Sequence, residues 1–330
     1  MLRMIGKEQR FYTKIYKMNI VAISYQPNCT NYIEAVLSYF PKTKKIFIKK
    51  EAYLNNKEAI LLMIKKKIQN SNCFLISGTS ATDNFEKKVR KLFYRLKLPV
   101  FIILDSTFNI KKRFIKNDYL NPAIFVNDKY SKTLLLQNKF LDKKIFNFGN
   151  IYLEKLLKKN NKPRDVNSKE ILLISQPLSE RNKNFNEISC FKILYNLSCK
   201  NNYSLSVKTH PRENINKWNK LYKKYNFNII SKKFNRVNLK KYKYIFGINT
   251  ESFLECITQN KGTFALNFTR IYKDNYCIRN KLVRSIENQK KLNEIFLKTS
   301  TNNNAKSLIQ KNVVGKKIFN QIKHETKKYF

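Results

Sequence analysis

EILLISQP (170–177) and YSLSVKTHP (203–211) are two short apolar runs separated by a helical stretch over 184–200, and their reading decides the fold. Apolar runs of this length that end in polar turn residues read as buried strands. A helix between two such strands carries the chain back to the edge where it began, so the strands pair in parallel. The alternation continues downstream: a helix around Trp218, FNIISK (227–232), YIFGIN (244–249), a helix over 250–259 and GTFALNF (262–268). The stretch from Asn302 to Phe330 reads as a lysine-rich helical tail.

The same alternation runs upstream. NIVAISYQP (19–27), KIFIKK (45–50), CFLISGTSA (73–81), PVFIILDS (99–106), AIFVND (123–128) and KIFNFG (144–149) read as strands. Helices are expected from near Thr30 to Phe40, over 56–69, to Leu96 with Asp83 as its cap, through Leu134, and over Tyr152–Lys158. KKNNKPRDVNSKE (158–170) is polar, holds a proline, has no apolar period, and is the expected linker. The fold class that follows is α/β: two Rossmann-like domains, each a parallel sheet flanked by helices, with a cleft between them. Their expected bounds are 1–160 for an acceptor domain and 161–330 for a donor domain that carries the tail.

Composition agrees with this reading. The 330 residues suffice for two cores, and 42% hydrophobic content is globular. No run approaches the about 20 apolar residues that a bilayer span needs, and the basic N-terminus lacks an apolar signal core, so a cytoplasmic protein is expected. Cys29, Cys73, Cys190, Cys199, Cys256 and Cys277 form no CxxC pair and read as free thiols. His210 and His324 are the two histidines, too few for a structural zinc site, so no metal is expected. The net charge of +45 comes almost wholly from lysine spread along the chain, alongside abundant Asn and Ile. All three residues have A/T-rich codons, which accounts for much of the excess. No arginine-rich arm, RNP-like motif or zinc finger points to nucleic acid. An acidic membrane surface or a polyanionic substrate is the partner such a field suits.

In parallel sheets ligands bind where strands end and helices begin. Four such loops are rich in polar residues. In Asn249-Thr250-Glu251-Ser252, the hydroxyls of Thr250 and Ser252 lie beside a helix start that suits a phosphate, with Glu255 one turn on for a sugar hydroxyl. An ordinary helix cap is the competing reading. In KTHPRE (208–213), His210 can donate a hydrogen bond to a leaving phosphate or act as a general acid, with Lys208 and Arg212 adding positive charge. Asp105 closes the run VFIIL and is placed to act as a general base or to cap a turn. Gly78-Thr79-Ser80 offers a second anion site, or a simple tight turn.

With these motifs the second half resembles GT-B glycosyltransferases, in particular the bacterial polysialyltransferase-like and CDP-glycerol glycerophosphotransferase-like group. That group carries a Lys-x-His-Pro segment after the second strand of its C-terminal half and a Ser/Thr segment after the fourth. KTHP (208–211) and NTES (249–252) match these in kind and order. The resemblance covers roughly 170–268 by motif and the first half by architecture. It implies that His210, Thr250 and Ser252 bind the phosphate of a nucleotide-activated sugar, a substrate rather than a cofactor, and that a glycan or lipid-linked glycan is the acceptor. The implied role is surface-polysaccharide assembly at the inner membrane face. The paired carboxylates that mark bacterial sialyltransferases are absent. THPREN (209–214) also resembles the Thr-x-His-Arg-Arg-Glu-Asn motif of non-hydrolysing UDP-N-acetylglucosamine 2-epimerases, with Pro211 in place of an arginine. There the motif follows the first strand of the second half. A non-catalytic sugar-binding scaffold of the same fold is the third reading.

Overall fold

The computed structural model describes residues 18–53, 56–69, 71–159, 168–178, 186–260, 262–268, 274–297 and 313–329. The chain divides into two compact units, Met1–Lys155 with Lys311–Phe330, and Leu156–Gln310.

The first unit is built on six parallel strands: β1 (Asn19–Ser24), β2 (Lys44–Lys49), β3 (Cys73–Ser77), β4 (Val100–Leu104), β5 (Ala123–Val126) and β6 (Ile145–Asn147). Their order is β2-β1-β3-β4-β5-β6. Helices α1 (Pro27–Leu37), α2 (Lys57–Gln69), α3 (Phe85–Arg95), α4 (Lys129–Gln137) and α5 (Ile151–Lys159) accompany them. Alternate strand residues divide between the two faces. Val21, Ile23, Leu75, Ile102 and Ile124 form one core with Ile64 and Ile68 of α2 and Val89 and Phe93 of α3. Phe74 and Phe101 face the other way, where Phe40 closes over Phe74. Lys44, Lys45 and Lys49 line the edge strand β2, where their charge discourages pairing with another chain.

The C-terminal helix, α10 (Val314–Thr326), belongs to this first unit, which corrects the expected boundary at 161–330. Phe319 packs on Phe40 with ring centroids 4.8 Å apart. Glu154 accepts from the Tyr39 hydroxyl at 2.5 Å and from the Gly315 backbone at 3.1 Å. A Cβ on Gly315 would lie 2.1 Å from the Tyr39 ring, so only glycine lets the helix approach this closely. Most of the expected linker, 160–167, lies outside the described residues, as does the tail from 302 to 312.

The second unit repeats the plan with β7 (Glu170–Ile174), β8 (Ser204–Lys208), β9 (Asn228–Ile230), β10 (Tyr244–Gly247), β11 (Thr263–Leu266) and β12 (Arg284–Ile286), again all parallel. The order is β12-β11-β10-β7-β8-β9. Helices α6 (Glu187–Lys200), α7 (Ile215–Tyr222), α8 (Phe253–Gln259) and α9 (Gln289–Leu297) flank it. Leu173, Val207 and Phe246 join Phe191 and Trp218 in one core, and Leu172, Ile174, Tyr242 and Cys256 form another on the opposite face. Each sheet reverses its strand order once, between β1 and β3 and between β7 and β10. Such switch points are where ligands bind in open α/β sheets. Five of the six cysteines are buried, Cys199 is exposed, and all are free. Among the described residues no helix is long and apolar enough to cross a membrane.

Candidate functional site

The second unit concentrates its unusual chemistry at the carboxyl ends of β7, β8 and β10. Lys208 on β8 and Gly247 on β10 both pair in register with Ile174 on β7. With strands about 4.8 Å apart, these exits lie about 10 Å from one another, and Ser175 stands between them.

Lys208 is 5% exposed. Its ammonium donates to the Thr209 carbonyl at 2.5 Å, and no carboxylate among the described residues pairs with it. Burial lowers its pKa from the ordinary lysine value, against an opposing pull from Glu213 at longer range. A cation held in a dry place without a counter-ion is costly, and an incoming anion relieves that cost.

His210 follows two residues on. Its Nδ1 accepts from the Arg212 backbone N–H at 3.1 Å, so in the neutral ring Nε2 carries the proton and is a donor. Glu213 holds this loop from beneath. Its carboxylate accepts from the His210 backbone N–H at 2.6 Å, from the Ser175 hydroxyl at 2.6 Å and from Lys217 at 2.8 Å. Lys217 also pairs with Glu187, which accepts from the Leu178 N–H at 3.1 Å. Burial alone would lower the Lys217 pKa, but Glu187 and Glu213 outweigh it and hold the ammonium above its usual value. The β7 exit, the β8 exit and α7 are thus tied into one hydrogen-bonded frame around His210.

At the β10 exit the structure differs from the expected helix over 250–259. Helix α8 begins at Phe253 and is seven residues long. Thr250 is buried, and its hydroxyl accepts from the Ser252 N–H at 3.1 Å, so it shapes the turn before the helix. Asn275 donates to the Thr250 carbonyl at 3.2 Å and to the Asn249 side chain at 3.3 Å. Ser252 and Glu255 are half-buried, and Arg212 is exposed. Burial first, and the charge of Glu255 second, push the Cys256 thiol well above its usual pKa. The structure therefore brings Lys208, His210, Thr250 and Ser252 to one edge of one sheet.

The first unit's switch point is already filled by the protein. Glu86 of α3 accepts from the Tyr25 N–H beyond β1 at 2.9 Å and from the Ser80 N–H beyond β3 at 2.5 Å. A Cβ on Gly78 would lie 2.6 Å from the Cys29 sulfur and 2.8 Å from Glu86 Oε1. Arg90 donates to the Gly78 carbonyl at 3.0 Å, and Arg113 donates to the Thr79 carbonyl. Gly78, Thr79 and Ser80 are thus not an anion site; the carboxylate of Glu86 occupies the place an anion would take.

Asp105 is likewise corrected. It is buried and lies 3.3 Å from Arg113, which also donates to the Phe108 carbonyl at 2.7 Å. Burial raises its pKa against the Arg113 charge. The carboxylate holds the β4–β5 connection together and has no access to an outside hydroxyl. Arg90 and Asp118, both fully buried, pair at 3.0 Å just below.

Ser175, Glu213, Lys217 and Asn275 were not selected from the sequence. Their signals were present: a serine closing ILLIS, a carboxylate three residues after the histidine in HPRE, and an asparagine opening a helical turn. Among the described residues no group of three or more His, Cys, Asp or Glu side chains converges as metal ligands.

No protein-family model and no curated protein matches the sequence. Solved structures do. The UDP-GlcNAc 2-epimerase of Methanocaldococcus jannaschii superposes with a TM-score of 0.65 at 14% identity, covering 93% of this chain and 100% of that one. Its complex with UDP-GlcNAc and UDP gives 0.64 at 16% over the same shares. UDP-N-acetylglucosamine 2-epimerase from Rickettsia bellii gives 0.60 at 14%, covering 94% of this chain and 97% of that one. The likeness is one of fold: two Rossmann-like units of the GT-B type.

Proposed function

We propose that the protein is a glycosyltransferase that takes a nucleotide-activated sugar, or a nucleotide-activated polyol phosphate, as donor and extends a cell-surface glycan. The observation that carries this reading is Lys208, a buried ammonium with no carboxylate in contact among the described residues, at the carboxyl edge of the second sheet. It supplies what a donor phosphate lacks in water, a fixed and desolvated positive charge. His210 Nε2–H donates to the phosphate oxygen that departs, Ser252 adds a hydroxyl, and Arg212 offsets charge from the solvent side. As the acceptor oxygen bonds to the anomeric carbon, the bond from that carbon to the donor's phosphate oxygen breaks, and the acceptor hydroxyl's proton passes to water. The negative charge gained by the leaving nucleotide falls on Lys208 and His210. The KTHP and NTES resemblance supports a transferase.

A second reading is favoured by the superposition on the 2-epimerases over nearly the full length of both chains. Against it, THPREN follows β8, the second strand of its unit, whereas the epimerase motif follows the first.

Thermal stability of the purified protein with CMP, CDP, UDP and GDP, repeated for His210→Ala, tests the site. Saturation at a hundredfold over Kd adds about 2.7 kcal/mol, a shift of several degrees. One nucleotide should stabilise the wild type and fail to stabilise the variant. No shift with any nucleotide overturns the reading. Release of free N-acetylmannosamine from UDP-N-acetylglucosamine selects the epimerase.

A further inference from the structure

The opposite end of the first unit carries its own pattern. Segments 95–99, 116–122 and 136–144 lead into the adjacent strands β4, β5 and β6, so they share the amino edge of that sheet. Contacts join them: the Tyr94 hydroxyl donates to Asp118 at 2.6 Å, and the Tyr119 and Phe140 rings stack with centroids 4.2 Å apart. The end of α10 joins the same edge through Lys144 and Glu325, 3.5 Å apart.

On this edge Leu96, Leu120, Leu136, Leu141 and Tyr329 are exposed, Leu120 by 62%. They make five of the twelve large apolar side chains exposed among the described residues. They do not stand among neutral residues. Segments 95–99, 116–122, 136–144 and 323–329 hold nine lysines and arginines against three acids. Each acid is engaged: Asp118 is buried on Arg90, Asp142 pairs with Lys132 at 2.7 Å, and Glu325 pairs with Lys144 and Lys328. Every exposed leucine has a basic residue within four positions: Lys97 beside Leu96, Lys116 before Leu120, Lys139 after Leu136, Lys143 after Leu141.

We propose that this edge is a docking surface for an anionic lipid bilayer. Aliphatic side chains spaced among lysines suit the headgroup region, where leucines enter the acyl boundary and ammonium groups meet acidic headgroups. A protein interface would gather its apolar residues into a core depleted of lysine. Single-stranded nucleic acid would call for aromatic stacking platforms, and four of the five residues here are leucines. The ion pairs beneath, Arg90–Asp118 and Lys144–Glu325, give the surface a fixed shape. The carboxyl ends of β4, β5 and β6 lie at the other edge of this sheet. The inference does not depend on the donor reading, so either can fail alone.

Cosedimentation of the full chain with vesicles tests it. Phosphatidylcholine vesicles with about 30% phosphatidylglycerol should pellet the protein, and phosphatidylcholine alone should not. Leu120→Ser with Leu141→Ser, and separately Lys116→Glu with Lys143→Glu, should each weaken binding about tenfold or more. Lys220→Glu with Lys223→Glu, on the second unit, should leave binding as it is. Leu120→Trp gives a second readout: its emission should shift to the blue with anionic vesicles, against the constant background of buried Trp218. The proposal is overturned by absence of pelleting, by equal loss in the Lys220/Lys223 control, or by unchanged binding in the leucine pair.

Discussion

Replacing Lys208 with methionine removes the buried ammonium while keeping most of the stem's volume. In the free protein, Lys208 makes one hydrogen bond, to the Thr209 carbonyl, and has no ion pair among the described residues. A buried charged donor left short of partners costs roughly 2–3 kcal/mol, and the lost charge-assisted bond to Thr209 is worth about 1.5–3 kcal/mol. The two nearly cancel, leaving the free protein within about 1.5 kcal/mol of wild type, roughly 3–6 °C in Tm for a unit of this size, and the ammonium's own contribution is unfavourable. The sign has a pH signature. The folded pKa lies below the unfolded lysine value, so in the window just under 10.5 the unfolded chain binds more protons. Wild-type stability should therefore rise with pH through that window, and Lys208→Met should lose the rise. The donor phosphate loses a charge-assisted hydrogen bond worth about 1.5–3 kcal/mol, so nucleotide affinity should fall roughly 10- to 150-fold. Urea unfolding of the free protein and calorimetric titration of the nucleotide found in the panel measure the two effects. A variant less stable than wild type by about 2 kcal/mol or more, or one that keeps its nucleotide affinity, would falsify the assignment of Lys208 as an anion receptor.

Three further outcomes concern the first unit. Burial, chiefly, lifts Glu86 from 4.5 to about 7 in the folded state, so the folded protein binds the extra proton between those values. Stability should fall as pH climbs from 4.5 to 7, by about 3 kcal/mol in total, and chemical denaturation of Glu86→Gln across that range should show the slope removed. Asp118→Ala strands the buried Arg90 guanidinium and should cost about 3–5 kcal/mol in urea, whereas an exposed pair such as Lys291–Glu287 should give less than about 1 kcal/mol when broken. Gly315→Ala drives a methyl into the Tyr39 ring and should destabilise by about 1–3 kcal/mol, with faster amide exchange in α10 than in the second unit as the local readout.

The strands were legible because a parallel strand covered on both faces is an unbroken apolar run, and VFIIL, CFLIS and EILLI are such runs. The strand β12, RSI, escaped because three residues carry no period, and α9 went with it. The helix of the tail was visible; its partner was not. What assigns α10 to the first unit is the fit of Gly315 against Tyr39 and the shared Glu154, contacts between residues more than 150 positions apart. Strand order was also beyond the pattern, since the same runs and helices would satisfy either sheet's arrangement.

The site was legible in part, and the reason separates the two units. GTS after β3 and KTH after β8 occupy similar places: each leaves a strand of a parallel sheet beside polar residues. Local sequence cannot rank them, because the groups that decide arrive from elsewhere in the chain. At the carboxyl edge of the first sheet, Arg113 meets Asp105, Arg90 donates to the Gly78 carbonyl, and the Tyr25 and Ser80 N–H groups donate to Glu86. An anion arriving there would have to displace a carboxylate already paid for by folding. At the carboxyl edge of the second sheet, Glu187 and Glu213 share Lys217, and Lys208, drawn by the Glu213 charge at longer range, touches no carboxylate among the described residues. A protein interior tolerates an uncompensated ammonium only at a cost, and a phosphate is the kind of partner that repays it on binding. It is this buried ammonium, rather than the presence of a histidine or a hydroxyl, that makes the second unit the proposed place for a nucleotide's phosphate.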